Sequence, residues 1–385
     1  MKSVCVMLVA AEPSGDGLGA GLATALRARL GSAVRFIGVG GPQMAAQGVA
    51  SPVDISALSV LGVSDALLAY PAVLRAARRT ANIAASEYPD GAVLIDSWGL
   101  NLRVAHRLRR LNPRLPLIKY VGPQVWATRP GRARTLARAV DRLLTIHAFD
   151  APFFEREGLP VTFVGNPVLA KDFSRADPAR LRVDLGVPDK APILLVLPGS
   201  RVGEVERLLP PFEDAVRLLK VRLPDLVVMV AAAEAVARVV RERVERWASP
   251  AILLEGEADR AAAMKAATVA LACSGTITTE LALCDVPMVV AYRLGALTHA
   301  VAKRLIRPRY ITLFNVAAGD FVAPEFVQAD CNGPALAEAL FARLDNPALR
   351  SRQIEAQTAA LRIMRGGVTD PLGAAADAVI NEIAR

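Results

Sequence analysis

Polar side chains at the ends of short apolar runs mark where this chain could do chemistry. The clearest such stretch is Cys273-Ser274-Gly275-Thr276-Ile277-Thr278-Thr279-Glu280. It follows an apolar run at 267–272 that reads as a buried strand, and it opens an apolar helix over 278–284. The free amides of a first helical turn, with the positive end of its dipole, make an anion site from backbone alone. Ser274 and Thr276 would add hydroxyl donors, and Gly275 would let a diphosphate approach the main chain. Glu280 lies a turn further on, where a carboxylate can accept from a ribose diol. An ordinary helix cap carrying an exposed glutamate is the plainer alternative. A second strand end, 195–201, runs into a Gly199-Ser200 turn and then Arg201, whose guanidinium can fork onto phosphate oxygens. Asn315, Glu325 and Gln328 add polar side chains on loops beyond what reads as the last strand.

In the first half, the loop 10–19 carries Glu12, Ser14 and Asp16. It lacks the dinucleotide fingerprint, and its two acids suit sugar hydroxyls or proton transfer better than a pyrophosphate. The alternative is local: Ser14 as a helix cap, with Asp16 favouring the dipole. The Gly-rich loop 38–44 places tight backbone beside a ligand or beside a neighbouring loop. Asp96 closes the run Val93-Leu94-Ile95, at a strand end where chemistry would sit. Gln124 and Trp126 follow another strand. The basic run containing Arg129, Arg132 and Arg134 then suits an anionic acceptor or is a solvated helix face. Asn166 closes the last strand of this half. Over 55–74 the apolar residues are dense, among them Leu58, Val60, Leu61, Leu67 and Leu68, and Arg75, Arg78 and Arg79 follow directly. That is a core helix, or an apolar face rimmed by arginines for acyl chains and anionic head groups. No Asp-x-Asp pair occurs, so a metal-held diphosphate is not indicated, and the three histidines form no catalytic spacing.

The elements that must position these residues alternate along the whole chain. Short β-branched runs at 4–10, 34–39, 92–95, 117–121, 142–146 and 161–164 are followed by a second set at 192–197, 226–230, 251–254, 269–272, 288–292 and 310–313. Helical patterns lie between them, so the fold class is α/β with parallel sheets in two doubly wound domains. The connection at 170–190 is poor in apolar residues, and Asp177-Pro178 starts a helix within it. At 385 residues, with 53% hydrophobic content, two cores are expected. The net charge of +9, from 46 basic and 37 acidic residues, suits anionic ligands or an anionic membrane. Aromatic content of 5% and the lack of a binding motif argue against nucleic acid. The four cysteines have no metal spacing and read as reduced cytosolic thiols. The apolar start reads as a first strand, since acids follow it at once, and no run is long enough to span a bilayer.

Taken in order, the motifs at 10–19, 38–44, 58–65, 95–97, 120–134, 164–167, 197–204, 274–280, 287–292 and 324–328 resemble those of lipid-A-disaccharide synthases. The likeness runs from residue 9 to the C-terminal helix. It implies a GT-B fold: two Rossmann-like domains facing across a cleft, with the C-terminal helix packing back on the first. The implied division is 1–172 for the acceptor and membrane side, 173–350 for the UDP-sugar, and 351–385 for helices crossing back. The implied reaction is inverting transfer of 2,3-diacylglucosamine from UDP to 2,3-diacylglucosamine 1-phosphate, giving a β-1,6 disaccharide and UDP. It would proceed on the cytoplasmic face of a Gram-negative inner membrane, with the protein bound peripherally and an oligomer allowed. No metal or other cofactor is implied, because helix amides and Arg201 would meet the charge on departing UDP.

By the same resemblance, UDP would lie against Gly199, Ser200, Arg201, Ser274, Gly275, Thr276, Glu280, Asn315, Glu325 and Gln328. The acceptor would lie against Ser14, Gln124, Trp126, Arg129, Arg132 and Asn166. Leu58, Val60, Leu61, Leu67, Leu68, Arg75 and Arg78 would meet acyl chains and membrane. The departures sit in the first half. Where the family shows Ile-Asp-x-Pro-Asp-Phe, this chain has Ile95-Asp96-Ser97-Trp98-Gly99-Leu100, so the family's catalytic second acid falls on Gly99. The base is then Asp96, or Glu12 or Asp16 of the first loop. The motifs at 11–16, 122–128 and 165–167 also depart, the last with Asn166 in place of histidine. Two rivals share the fold: a UDP-sugar transferase with another lipid acceptor, and a catalytically weakened membrane-associated homologue. Gly99 favours the second rival, and Arg201 and Glu280 count against it.

Overall fold

The computed structural model describes residues 3–54, 66–126, 129–295 and 309–385. The chain divides into two compact units, Met1–Pro167 with Gly366–Arg385, and Val168–Arg365. The first is built on a parallel sheet of β1 (Val4–Val9), β2 (Val34–Val39), β3 (Gly91–Ile95), β4 (Leu117–Tyr120), β5 (Arg142–Thr145) and β6 (Val161–Phe163). Their spatial order is β2-β1-β3-β4-β5-β6. The strands read as continuous apolar runs because helices cover both faces. In β1, Met7 and Val9 enter one core, and Val6 and Leu8 enter the other. Chain order runs from β1 outward to β2 and then returns to β3 on the opposite side. The switch point, where such sheets bind ligands, is therefore between the carboxyl ends of β1 and β3.

The second unit repeats the plan with β7 (Ile193–Leu197), β8 (Val227–Ala231), β9 (Ile252–Leu254), β10 (Val269–Cys273), β11 (Met288–Tyr292) and β12 (Glu325–Val327). Its order is β12-β11-β10-β7-β8-β9, all parallel, which puts the switch point between β7 and β10. Leu197 pairs with Ala272, so the Gly199–Arg201 turn and the Ser274–Thr276 turn leave neighbouring strand ends.

Eleven of the twelve expected strands form, within a residue or so at each end. The twelfth does not: 310–313 is a loop leading into the helix Leu313–Ala318, and the strand beside β11 is Glu325–Val327. The reason is the Glu325 carboxylate, which accepts the amides of Ile311 (2.8 Å) and Thr312 (2.7 Å) and the Thr312 hydroxyl (2.6 Å). With these donors taken by a side chain, 310–313 has no ladder to join. The helix Pro178–Asp184 starts as expected, with Asp177 accepting from the amides of Ala179 and Arg180. At the C-terminus the two helices part company. Pro347–Arg365 stays with the second unit, where Gln353 and Gln357 donate to the carbonyls of Met288 and Val286. Pro371–Ile383 packs on the first unit against the helix Pro13–Leu30, tied by Arg29 to Asp377 and by Arg142 to Glu382. The crossing therefore falls at Gly366, not at 351.

Leu58, Val60 and Leu61 lie outside the described residues. Leu67 and Leu68 belong to the helix Ala66–Glu87, and their side chains are likewise outside the description. Arg75 and Arg78 on that helix are exposed, while Val73 packs on the core. Among the described residues no helix is long and apolar enough to cross a membrane.

Candidate active site

In the first unit the switch point is a pair of loops drawn together by Asp96. The helix after β1 begins at Pro13, with Glu12 as its extended cap residue, so Ser14 is not the cap. Instead the Ser14 hydroxyl donates to Asp96 Oδ2 at 3.2 Å. Asp96 (φ 48) and Ser97 (φ 34) both adopt left-handed backbone, a sharp corner between β3 and the helix Trp98–Leu111. Non-glycine residues persist there only when their surroundings hold them. Here the Asp96 amide donates to the Tyr120 carbonyl at 2.9 Å, and its own carbonyl accepts from Asn101 Nδ2 at 3.0 Å and from Lys119 Nζ. Gly99 follows in the first helical turn, and a Cβ added there would meet nothing within 4 Å.

Asp16 has a different task from the one expected. It is 2% exposed and accepts the amides of Gly41 (2.8 Å), Gln43 (2.9 Å) and Met44 (3.0 Å), fastening the loop 38–44 to the first helix. That carboxylate is saturated and shielded, so Asp16 is not a base. Gly41 serves the same packing, since a Cβ there would sit 2.6 Å from Asp16 Oδ2, while Gly38 and Gly40 let the loop lie against Leu8 and Met44. Of the three proposed acids, Asp96 and Glu12 both act electrostatically on the buried Lys119 ammonium. Arg132 lies over the Trp98 ring at 5.0 Å, which brings it to the same corner, and burial beside Arg129 holds its guanidinium below the ordinary value. Gln124 and Arg129 are exposed, and Asn166 is buried.

Trp126 packs edge-on to Phe149 at 5.7 Å beyond the end of β5. Beneath it lie His147, stacked on Phe149, and Asp150, which accepts from Thr145 Oγ1 at 3.2 Å. The Trp126 indole N–H lies close enough to steady the Asp150 carboxylate without closing a well-aligned hydrogen bond. Burial pushes the Asp150 carboxyl up to about 7 and the His147 imidazole down to about 4. Neither residue was singled out in the sequence, where both sit in an unremarkable loop.

In the second unit, Gly199 (φ 114) makes the turn after β7. A Cβ there would come within 2.8 Å of Glu204 Oε2, so only glycine fits. The exposed Arg201 is paired with Glu204 Oε1 at 2.9 Å, and the Ser200 amide faces Glu204 Oε2 at 3.4 Å. After β10, Ser274 Oγ donates to the Ile311 carbonyl at 3.2 Å. Gly275 and Thr276 are exposed at the start of the helix Thr276–Leu283. Glu280 is not the exposed glutamate of the plainer reading. It is 9% exposed; its Oε1 is 3.5 Å from Lys171 Nζ, and its Oε2 is buried with no partner among the described residues. Gln328, at φ 57 beyond β12, also leaves a buried amide nitrogen without a partner.

Asn315 and Glu325 are corrections to the expected nucleotide contacts. Asn315 is fully buried; its Nδ2 donates to the Ala323 carbonyl (2.9 Å) and Glu325 Oε1 (2.8 Å), and its Oδ1 accepts from Val322 (2.8 Å) and Ala323 (3.0 Å). Every polar atom of Asn315 is used, and both carboxylate oxygens of Glu325 already accept hydrogen bonds. The pair holds the loop between Tyr310 and β12. Lys119, Asn101 and Lys171 were missed by the sequence reading because a lone polar residue in an apolar strand, or a lysine in a connection, carries no motif. Among the described residues no group of three His, Cys, Asp or Glu could hold a metal.

Two doubly wound units, with polar loops gathered at each switch point, define a protein of the GT-B class. Solved structures of low identity share this fold. Acinetobacter baumannii MurG is 16% identical, with 98% of this chain and 99% of that one covered, at a TM-score of 0.57. A Neisseria meningitidis UDP-GlcNAc 2-epimerase bound to UDP-GlcNAc is 12% identical over 100% of both chains, at a TM-score of 0.61. The family model for lipid-A-disaccharide synthetase matches residues 6–367. The lipid-A-disaccharide synthase of Rhodospirillum centenum is 43% identical over 385 residues, covering 100% of this chain and 96% of that protein. That of Paramagnetospirillum magneticum is 40% identical over 380 residues, covering 98% and 97%. The chain belongs to the lipid-A-disaccharide synthase family, and it is a hexosyltransferase of lipid A biosynthesis.

Proposed function

We propose that the protein transfers 2,3-diacylglucosamine from UDP to the 6-hydroxyl of 2,3-diacylglucosamine 1-phosphate, with inversion, releasing UDP. The observation that carries the donor assignment is the buried, unpartnered Glu280 Oε2, one helical turn behind exposed first-turn amides. A ribose diol would satisfy that oxygen, while the diphosphate lies on the amides of Gly275 and Thr276 and on Arg201. Negative charge growing on departing UDP is met by the same amides and guanidinium. Ser200 and Gln328 line the remainder of the donor site.

The first unit takes the acceptor. Asp96 removes the proton from the attacking hydroxyl, and the Ser14 hydroxyl orients its carboxylate. Glu12 is the second acid of this site. Arg132 and Arg129 take the acceptor phosphate, with Gln124, Trp126 and Asn166 around the sugar. The exposed Arg75 and Arg78 support contact with the anionic cytoplasmic face of the inner membrane, with the protein held there peripherally.

The test is UDP release by the purified protein given UDP-diacylglucosamine, with and without diacylglucosamine 1-phosphate. Acceptor-dependent UDP together with a disaccharide mass is expected. UDP binding without acceptor-dependent turnover would refute the acceptor assignment, and failure to bind UDP would refute the donor site. In the same assay Arg201→Ala is expected to cut turnover more than tenfold with the fold intact.

A further inference from the structure

Lys119 is a buried cation in a strand where an aliphatic residue would pack without cost. It is 3% exposed, on the same face of β4 as Leu117, which enters one of the two apolar cores of this unit. Around it stand Leu94, Trp98, Asn101, Leu102, Ala105, Leu136 and Val140, none of them charged. The charged groups facing it are Asp96, from the loop after β3, and Glu12, from the loop after β1. Burying an ammonium in such surroundings is expensive unless its protons are used. They are used on backbone: Nζ donates to the Leu94 carbonyl at 3.2 Å and to the Asp96 carbonyl. The second carbonyl belongs to the left-handed Asp96-Ser97 corner, where Asn101 also bonds both Ile95 O (2.7 Å) and Asp96 O (3.0 Å).

We propose that Lys119 is the positioning residue of the transfer reaction: its ammonium, bonded to the carbonyls of Leu94 and Asp96, locks the left-handed corner and so aims the Asp96 carboxylate at the acceptor hydroxyl. The inference rests on the reading of Asp96 as base given above. It explains how a chain with Gly99 in place of an acid keeps one carboxylate rigidly presented. Lys119 does not touch substrate; it acts through the backbone of the residue that does. Burial also draws its ammonium down to about 8. Above that pH the charge is lost, and with it the stronger, charge-assisted form of both carbonyl bonds.

The experiment is the pH dependence of kcat, at saturating donor and acceptor, for the wild type, Lys119→Met and Lys119→Gln. The wild type is expected to lose activity as pH rises through about 8. Lys119→Met is expected to lower kcat by about tenfold or more, since small misplacements are costly, to leave the donor KM within about twofold, and to show no alkaline limb near 8. Lys119→Gln, which keeps a neutral donor of similar reach, is expected to recover part of kcat and likewise to lack that limb. Wild-type kcat in Lys119→Met, or a loss confined to donor KM, would overturn the proposal. Should neither variant fold, the wild-type profile decides: constant kcat from pH 7 to beyond the ordinary lysine value of 10.5, where the ammonium is lost, overturns it. A wild type that gives no acceptor-dependent UDP sinks the transfer reading itself, whereas an active wild type with an indifferent Lys119→Met sinks only the role of Lys119.

Discussion

Replacing Glu280 by glutamine separates a ligand-binding carboxylate from a structural one, because the two roles predict opposite signs. Among the described residues Oε2 is buried without a partner, and Oε1 has only Lys171 Nζ, 3.5 Å away. That lysine also serves Glu257 at 2.7 Å and is itself a third exposed, so it offsets little of the burial. Glu280→Gln keeps the shape and removes the charge. A hydrogen bond to a charged acceptor is worth roughly 1.5–3 kcal/mol, against about 1 for a neutral one. The variant should therefore lose about 1–2 kcal/mol of UDP binding, a Kd roughly 5- to 30-fold weaker. The folded protein no longer buries a charge that Lys171 only partly compensates, so its melting temperature should hold or rise by about 2–4 °C per kcal/mol gained. Calorimetric titration with UDP and a thermal melt on the same preparation measure both. An unchanged Kd with a lowered melting temperature would refute the ribose assignment and return Glu280 to a packing role.

Three further outcomes are expected. Asp96→Asn should reduce kcat by about 10²–10⁴, the usual contribution of a positioned base, with its melt unchanged; a loss under tenfold would move the role to Glu12. Gly99→Asp should fold and be stabilised by about 1 kcal/mol, because the site is open and the residue lies in a first helical turn; a lowered melting temperature would contradict that geometry. Asp150→Asn should stabilise the protein selectively at high pH. Its carboxyl is pushed up to about 7, so between its unfolded value near 4 and 7 the folded state binds more protons, and stability falls as pH rises. Relative to wild type the variant should gain up to about 4 kcal/mol at pH 8 and nothing near pH 4. Chemical denaturation at the two pH values measures the difference, and equal gains at both would refute the burial argument. His147, drawn down to about 4 by burial, is common to both proteins and cancels in the comparison.

The amino-acid pattern alone determined the two doubly wound sheets, because strands covered on both faces are continuously apolar, and here short β-branched runs of that kind alternate regularly with helical patterns. It determined the polar loops too: Gly199 to Arg201, Ser274 to Glu280 and Asp96 each stand where an apolar run stops. What it could not decide is how polar side chains divide between ligand and scaffold, since that depends on which backbone amides happen to lie within 3 Å. Asp16 and Asn315 looked like site residues and are spent on loops, and Glu325 captured the amides of a segment that reads as a strand. Lys119 and Asp150 looked like nothing in particular, yet tertiary packing buries them beside the corner and the Trp126 loop. Glu280 could be read from its chain neighbours as an exposed helix glutamate. Only the packing around its helix buried one of its oxygens and left it without a partner, and that isolation is what points to a ligand.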